Sequence, residues 1–422
     1  MKMNYYFFGM SLVLCASGIQ TAPLGLFEPY DIMIRLRKPA QNNFYVGLLG
    51  EKSYTTKGYA TDACEEETLE VNSLQVYDRV QNVVSLYQGM NQSDSEFIPL
   101  LESIAGGPGG GASNYENGLF QATGKLGVEQ LAFSTIYGLP RHFYVSGYVP
   151  FYVANLSNLS WNYVGNSILF SGQEIQELVD AFKRDSEKLF GLCVKNWKRH
   201  GFGDVTLLFE WQRDFAQMRP ILKSVQPNVR CGISIPTECL SNQNLIMPIT
   251  FSSRQTASIP FGGGLTMNLA NHIDVGFAAQ FWYYLSNKCQ QRIKTFPTQT
   301  SLLYPVSTLV MAEYGFLQNF NLFAQIYSFC KRLSLKFCYQ YWRRGEDRIT
   351  PIDLSYNYEI ANSAPQLLEN TMHDVFFALN YAPKVNDFKR VIPQAQLFWK
   401  ASVKGMRVAL ASTVGFQFSV IF

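Results

Sequence analysis

The nucleophilic and metal-binding side chains of this sequence do not stand at the spacings that catalysis or metal binding requires. The four histidines, His142, His200, His272 and His373, form no HExxH pair, and the eight cysteines form no CxxC pair. No GxSxG element is present to carry a serine nucleophile. His373 and Asp374 are neighbours in an alternating segment, where adjacent side chains point to opposite faces. The sequence therefore predicts no catalytic site, no metal site and no cofactor.

Polar side chains that suggest a function recur at every second position of long alternating segments. In residues 225–235, valine, proline, cysteine and isoleucine on one face alternate with glutamine, asparagine, arginine, glycine and serine on the other. Because successive side chains of a strand point to opposite sides, each segment has one apolar and one polar face. Polar residues on these faces are the candidates for lining a lumen: Glu210, Gln212, Arg230, Asp274, Gln280, Lys336, Gln340, Asp374, Asn380, Gln394 and Lys400.

The length and number of these segments indicate a membrane barrel rather than a globular sandwich. They lie near residues 44–54, 128–138, 142–153, 202–213, 224–236, 257–270, 273–286, 305–317, 320–330, 333–344, 371–382, 391–401 and 411–422. Many have about ten residues, which is enough for a tilted strand to cross a bilayer. Aromatic residues stand near several segment ends, as in the girdles of membrane barrels: Trp211, Tyr283, Tyr341, Tyr381 and Trp399.

The predicted fold class is an all-β membrane protein, an antiparallel transmembrane β-barrel of about 12–14 strands with helical inserts. The segments number thirteen, whereas bacterial single-chain barrels normally have an even number of strands. Residues 118–126 offer the missing strand.

The last segment has a distinct pattern, since apolar residues alternate with glycine and polar residues up to Phe422. It resembles the C-terminal strand of Gram-negative outer-membrane barrels. The resemblance implies recognition by the barrel-assembly machinery, with this assembly signal: Phe416, Phe418, Val420 and Phe422.

A second resemblance rests on two segments in the middle of the chain. Residues 200–207 read His-Gly-Phe-Gly-Asp-Val-Thr-Leu, and residues 227–237 read Pro-Asn-Val-Arg-Cys-Gly-Ile-Ser-Ile-Pro-Thr. They are similar to consecutive strands of the transporter-like outer-membrane barrels of aromatic-degradation pathways, and more distantly of the long-chain fatty-acid transporters. The resemblance implies a transport barrel, and it transfers no substrate-binding residue to this chain.

The first residues predict export. Lys2 precedes an apolar stretch at residues 5–14 and small residues at 16–18, as in a secretory signal peptide. We expect a signal peptide within residues 1–22, cleaved after Gly18 or Ala22, and a single barrel domain over residues 23–422 in the cell outer membrane.

Two inserts interrupt the strand pattern. Residues 61–116 contain helical spacing over 71–90 and 96–104 and a Gly/Pro stretch at 106–111, and we interpret them as a plug inside the barrel or a loop outside it. Val76, Val80, Val83 and Val84 would need an apolar partner, which inward aromatic side chains such as Tyr144, Tyr148 and Trp282 would offer. Residues 173–198 predict an amphipathic helix.

Composition agrees with a barrel and excludes several function classes. The chain is 47% hydrophobic, 15% aromatic and only 16% charged, with a net charge of +3, which does not suggest nucleic-acid binding. The sequence predicts an outer-membrane channel or transporter for small solutes or hydrophobic compounds. The alternative is a structural or adhesion-type barrel without transport. The expected partners are outer-membrane lipid, the assembly machinery and an unidentified small-molecule cargo.

Overall fold

Twelve strands close into one antiparallel barrel in this computed structural model. The structure describes residues 43–61, 68–91, 94–104, 118–165, 170–237, 244–247, 251, 256–328, 332–383 and 391–422. The barrel strands are β1 (Phe44–Thr61), β2 (Leu119–Gly138), β3 (Phe143–Tyr163), β4 (Val205–Gln212), β5 (Leu222–Ile235), β6 (Ser258–Leu269), β7 (Ile273–Tyr284), β8 (Leu317–Tyr327), β9 (Leu333–Arg344), β10 (Asn370–Tyr381), β11 (Ile392–Met406) and β12 (Val408–Ile421). Each strand pairs with its neighbours in this order, and β1 pairs with both β2 and β12. The predicted barrel and its even strand number are confirmed.

Two of the predicted strands have a different place in the structure. The segment at 305–317 is not a barrel strand, because Val306–Glu313 pairs with Asn287–Ile293 and Arg348–Pro351 in a separate three-stranded sheet. Residues 118–126 form the first part of the long strand β2 rather than a strand of their own. Alternation of apolar residues indicates a half-buried strand, but it does not reveal which sheet buries it.

The outer surface of the barrel is apolar, as a surface in contact with lipid requires. Along β9, the outward Leu335 and Phe337 are exposed, whereas the inward Gln340 and Trp342 are buried. At a rise of about 3.3 Å per residue and a tilt of about 40°, residues 333–341 span about 20 Å across a bilayer. This height is close to the apolar band of about 25 Å seen in outer-membrane barrels.

The two ends of the barrel differ in their connections. Residues 139–142, 213–221, 270–272, 328–332 and 382–391 join strands at the short-turn end, where both ends of the described chain also lie. At the opposite end, which we call the cap end, the long connections fall at residues 62–118, 164–204, 236–257, 285–316 and 345–369. We call the described parts of these five connections the cap. Only β11 and β12 meet there in a tight turn, at Arg407.

The α-helices of the described residues lie in the cap. They are α1 (Phe97–Ile104), α2 (Gly172–Phe190) and α3 (Tyr358–Asn362). Short strands add Thr68–Asn72 beside β1, Gln81–Asn82 beside β2 and Trp197–Phe202 beside β3. A further short strand, Phe215–Ala216, lies beside β5 at the short-turn end. In the described part of the chain, no helix has both the length and the apolar character to cross a bilayer.

The predicted helical spacing of the two inserts is only partly realised. Residues 71–90 do not form a helix but contain strand residues and the 3-10 turns Ser73–Gln75 and Val84–Tyr87. Asn72 accepts from the backbone N–H of Leu74, a local bond that competes with helix formation. The helix predicted over 173–198 ends at Phe190 because Gly191 adopts a left-handed conformation, with φ of 60°. The expected signal peptide and the Gly/Pro stretch lie outside the described residues.

Candidate functional site

The inner surface of the barrel carries all eleven polar residues that the sequence singled out. They occupy inward positions of β4, β5, β7, β9, β10 and β11, and most are more than nine-tenths buried. Gln212 and Asp274 are half-buried. That these side chains line a solute path remains a prediction, since burial alone also fits a filled interior.

A network of neutral side chains crosses four strands near the short-turn end. Gln396 Nε2 donates to Asn380 Oδ1 at 2.7 Å, and Asn380 Nδ2 donates to Ser334 Oγ at 3.3 Å. Gln325 Nε2 donates to the same hydroxyl at 2.7 Å. These residues join β11, β10, β9 and β8 through amide and hydroxyl groups that carry no charge. The inward charges in register with Gln325 are of opposite sign, Asp274 on β7 and Lys336 on β9.

Several amide oxygens next to this network receive no donor from the described part of the protein. Gln394 and Gln396 lie on β11 opposite Ser419 and Gln417 on β12, respectively. The Oε1 atoms of all three glutamines are buried without a hydrogen-bond partner among the described residues, although Gln417 Nε2 donates to the Tyr45 hydroxyl at 2.8 Å. Buried polar atoms are normally satisfied, so this patch favours water or a solute with O–H or N–H groups.

The charged inward residues are of both signs. Glu210 on β4 stands directly opposite Arg230 on β5. Asp274 accepts from Asn268 Nδ2 at 2.6 Å and from the Tyr327 hydroxyl at 2.7 Å. Because positive and negative groups alternate around the wall, the arrangement does not favour strong selection between cations and anions.

An apolar belt lies next to the neutral network, nearer the cap end. On β10 and β11 it contains Phe376 and Phe398, whose stacked rings are 5.6 Å apart. Leu49, Tyr148 and the partly buried Phe323 belong to the same belt. Beyond the belt, towards the cap end, the wall becomes polar again, and Gln340 Nε2 donates to Asn321 Oδ1 at 2.8 Å (in β9 and β8). The inner surface therefore changes from polar to apolar to polar along the barrel axis.

The cap packs against the inner wall of the barrel at the cap end. Leu74 and Val76 belong to one buried cluster with the inward side chains of β2, β3 and β12. Gly58 of β1 shows how close this approach is, because a Cβ there would lie 2.2 Å from Val76 Cγ1. The valines at 76, 83 and 84 are thus buried as the sequence required, but the expected aromatic partners are wrong. Tyr144, Tyr148 and Trp282 belong to other clusters.

Asp185 joins two connections within the cap. This buried residue of α2 accepts from the Tyr87 hydroxyl at 2.9 Å and from Ser95 Oγ at 2.8 Å. It also accepts from the backbone N–H groups of Glu96 and Phe97, both at 3.0 Å, where α1 begins. A carboxylate at this position satisfies free N–H groups of the helix and interacts favourably with its dipole.

Arg292 joins three connections at the C-terminal end of α2. Its Nη1 donates to Tyr304 O at 3.1 Å and to Pro305 O at 2.8 Å, and its Nη2 donates to Phe190 O at 2.8 Å. A further bond of 3.1 Å reaches Asn244 Oδ1. Burial lowers the pKa of Arg292 to about 10, so the guanidinium remains charged at neutral pH. A cation at the C-terminus of α2 also complements the helix dipole.

Comparison with known proteins gives a likeness of fold. No family model matches the chain, and no curated protein matches it in sequence. An outer-membrane channel from Pseudomonas putida F1 shares 11% identity, covers 94% of this chain and 100% of its own, and gives a TM-score of 0.47. The toluene transporter TbuX from Ralstonia pickettii shares 8% identity over 91% of this chain and 90% of its own, with a TM-score of 0.34. TodX, the toluene transporter of Pseudomonas putida, shares 10% identity and covers 91% of this chain and 89% of its own, with a TM-score of 0.30.

The two sequence segments that resemble transport barrels meet in the structure. Thr237, at the end of the second segment, donates through its hydroxyl to Gly203 O of the first at 2.6 Å. A Cβ on Gly203 would lie 2.4 Å from the Tyr152 ring and 2.7 Å from Phe251 O, so only glycine fits there. This motif therefore fixes the start of β4 under the cap.

Asp185 and Arg292 were not among the sequence candidates. In the sequence, Asp185 is one of several charged residues in an amphipathic helix, and Arg292 follows two glutamines in an ordinary polar stretch. Their partners are distant along the chain, so no local spacing indicated either residue.

Proposed function

We propose that this protein is a channel or transporter of the outer membrane that passes small solutes through the barrel, and that the cap controls access to it. The apolar outer surface and the polar inner surface support this proposal, because a barrel with these two faces separates lipid from an aqueous interior. The observation that carries it is the patch of Gln394, Gln396 and Gln417, whose buried oxygens lack protein donors among the described residues.

The cap supplies the control because buried charged side chains join its connections to one another. Asp185 binds the start of α1, and Arg292 binds the end of α2 and its neighbours. Ser301 N–H donates to Asp78 Oδ2 at 2.6 Å, which links the connection before β2 to the one before β8. Opening then requires these connections to separate from one another and the apolar contacts of Leu74 and Val76 with the inner wall to part.

The direct test is the conductance of the purified protein in a planar lipid bilayer containing KCl. We expect rare openings for the unaltered protein and more frequent openings for Asp185→Ala. Loss of this carboxylate leaves buried donors of Tyr87 and Ser95 unsatisfied, at a cost of about 2 kcal/mol, or about 30-fold in open population. Asp180→Ala is the matched control, because Asp180 lies on the same helix but is half-exposed.

The outcomes separate the proposal from its alternatives. A folded Asp185→Ala variant that never conducts would contradict a channel and favour the structural or adhesion-type barrel. Equal open probability in the Asp180 and Asp185 variants would refute control by the cap while leaving the channel intact.

The apolar belt supports a second candidate cargo, a hydrophobic compound. Phe376, Phe398, Tyr148 and Leu49 offer such a molecule a surface that the polar levels do not. Swelling of protein-containing liposomes in sugar solutions, compared with uptake of a labelled hydrophobic compound, distinguishes the two. Sugar permeation without hydrophobic uptake would exclude this candidate.

A further inference from the structure

We propose that the outer surface of β9–β11 at the cap end binds a phosphate group of lipid A, the phosphorylated glycolipid of the outer leaflet. The main contacts are Lys404 and His373. The inference goes beyond solute passage, and it rests on the proposed outer-membrane location, in which the long connections face outward.

A β-bulge in β11 brings Lys404 to the outer surface. Lys400 points inward, and strict alternation would send Lys404 inward as well. The register shifts, however, because Asp374 of β10 pairs with Ser402 while His373 pairs with Lys404. Val403 is the extra residue, and Val403 and Lys404 are consecutive exposed residues. A bulge of this kind re-aims a side chain, here from the barrel interior to the lipid side.

Lys404 becomes part of a row of polar groups across three strands. His373 lies between Lys404 on β11 and Tyr341 on β9 in the strand register, and its ring is 4.9 Å from that of Tyr341. The Tyr339 hydroxyl is hydrogen-bonded to His373 Nδ1. With this hydroxyl as the donor, the imidazole holds its proton on Nε2 and presents it as a second donor beside the lysine amine.

The depth of the row matches the phosphate level of a leaflet. Val375, the next outward residue of β10 towards the membrane centre, lies about 7 Å along the strand from His373. Phe377 and Trp399 follow below it and stack with ring centroids 5.7 Å apart, in register with Phe337 near the middle of the apolar band. On the other side of the row, Arg343 and Glu369 form a two-bonded ion pair at the aqueous rim, with both distances 2.8 Å.

Charge identifies an anion as the occupant. Elsewhere on the outer surface, Lys52 pairs with Glu129 and Lys57 pairs with Glu70. Within the described ranges, no carboxylate pairs with Lys404, so its charge remains available to a ligand. A phosphate anchored by acyl chains satisfies both the charge of Lys404 and the apolar surface below it, which a soluble phosphate does not.

The test measures binding of lipid A to the full protein in neutral detergent by native mass spectrometry. Three probes are titrated: lipid A with two phosphates, monophosphoryl lipid A, and the fully dephosphorylated form. We expect the unaltered protein to bind the bisphosphorylated form at least fivefold more tightly than the dephosphorylated one. Lys404→Gln should lose about fivefold in affinity for the bisphosphorylated form, since one basic residue near an anionic lipid contributes about that factor.

Three controls make the result specific. Lys404→Arg should retain binding, because it keeps the charge. Lys52→Gln removes a lysine of the same outer surface that already has a carboxylate partner, and it should bind as the unaltered protein does. Inorganic phosphate at millimolar concentration should not displace the lipid, which distinguishes an anchored phosphate from a free one.

Equal affinity of the Lys404→Gln, His373→Gln double variant and the unaltered protein would overturn the proposal. Equal losses in the Lys404 and Lys52 variants would also overturn it, since they would indicate general surface charge. These outcomes are independent of conduction, because both lysines lie on the outer surface. A non-conducting barrel that still binds lipid A would contradict the proposed solute passage and leave the lipid A site supported.

Discussion

Arginine placed at two depths of one strand tests whether the apolar outer surface faces lipid. Phe277 and Tyr283 both point outward from β7 and are similarly exposed, at 54% and 55%. Phe277 lies near the middle of the strand between Leu265 and Leu322, whereas Tyr283 lies at its cap end. In a bilayer, Phe277→Arg should cost about 2–4 kcal/mol, and Tyr283→Arg only about 0–1 kcal/mol.

The assay is reversible unfolding in urea of each variant refolded into lipid vesicles. The free energy of unfolding should fall by about 2 kcal/mol more for Phe277→Arg than for Tyr283→Arg, with unchanged dependence on urea. Because both replacements exchange an exposed aromatic residue for the same cation on one strand, depth is the main difference between them. Equal free energies would show that this surface is not immersed in lipid, and the inside and outside assignment of the barrel would then fail.

Three further predictions concern the cap, the closure of the barrel and its inner surface. Arg292→Ala should lower the stability of the cap by about 3 kcal/mol, because several charge-assisted bonds are lost. Limited proteolysis should then cut near Phe190 while the barrel resists cleavage. An unchanged cleavage rate would refute this role. Deletion of Phe422 should prevent assembly, because its backbone exchanges bonds of 2.8 and 3.3 Å with Phe44, and normal yield of heat-modifiable barrel would refute it. Gln396→Leu should lower the conductance of cap-loosened protein several-fold by removing an amide from the neutral network, whereas unchanged conductance would place the solute path elsewhere.

The barrel was predictable from sequence because lipid and interior impose opposite polarity on alternate residues. In β9, Leu335 and Phe337 face lipid, while Lys336 and Gln340 face inward. The alternation with a period of two therefore indicated both the strand and the direction of its side chains. The same reasoning failed at 305–317, where Val310 and Ala312 are buried by α3 and its neighbours rather than by the barrel. A period of two reports burial of one face and does not identify what buries it.

The inner surface was also accessible to sequence reasoning, whereas the position of Lys404 was not. Gln394 and Lys400 follow from alternation along β11, but the bulge at Val403 reverses the assignment for the residues after it. A single extra residue moves every later side chain to the other face, and no feature of the local sequence indicated its position.

The cap escaped prediction because directional bonds between distant residues define it. Asp185 and Phe97 are separated by 88 positions, and Arg292 and Phe190 by 102. Helical spacing within residues 71–90 suggested a helix, yet the segment is extended over Asn72 and Gln81 because side chains bond the backbone there. Local propensity is a weak prior when tertiary contacts of this kind compete with it.

The distribution of bond types gives the cap and the barrel wall different mechanical roles. Buried charges bind cap residues to one another, and these bonds are directional and costly to break without a replacement partner. Many contacts between the cap and the inner wall are instead apolar, as at Val76 over Gly58, and apolar contact has no preferred direction. Loss of one directional bond inside the cap, such as that of Asp185, is therefore expected to loosen the cap while the wall stays intact. The polar level around Gln394 and Gln396 lies at the other end of the barrel, so a change in the cap alters access without altering the groups that a solute meets there.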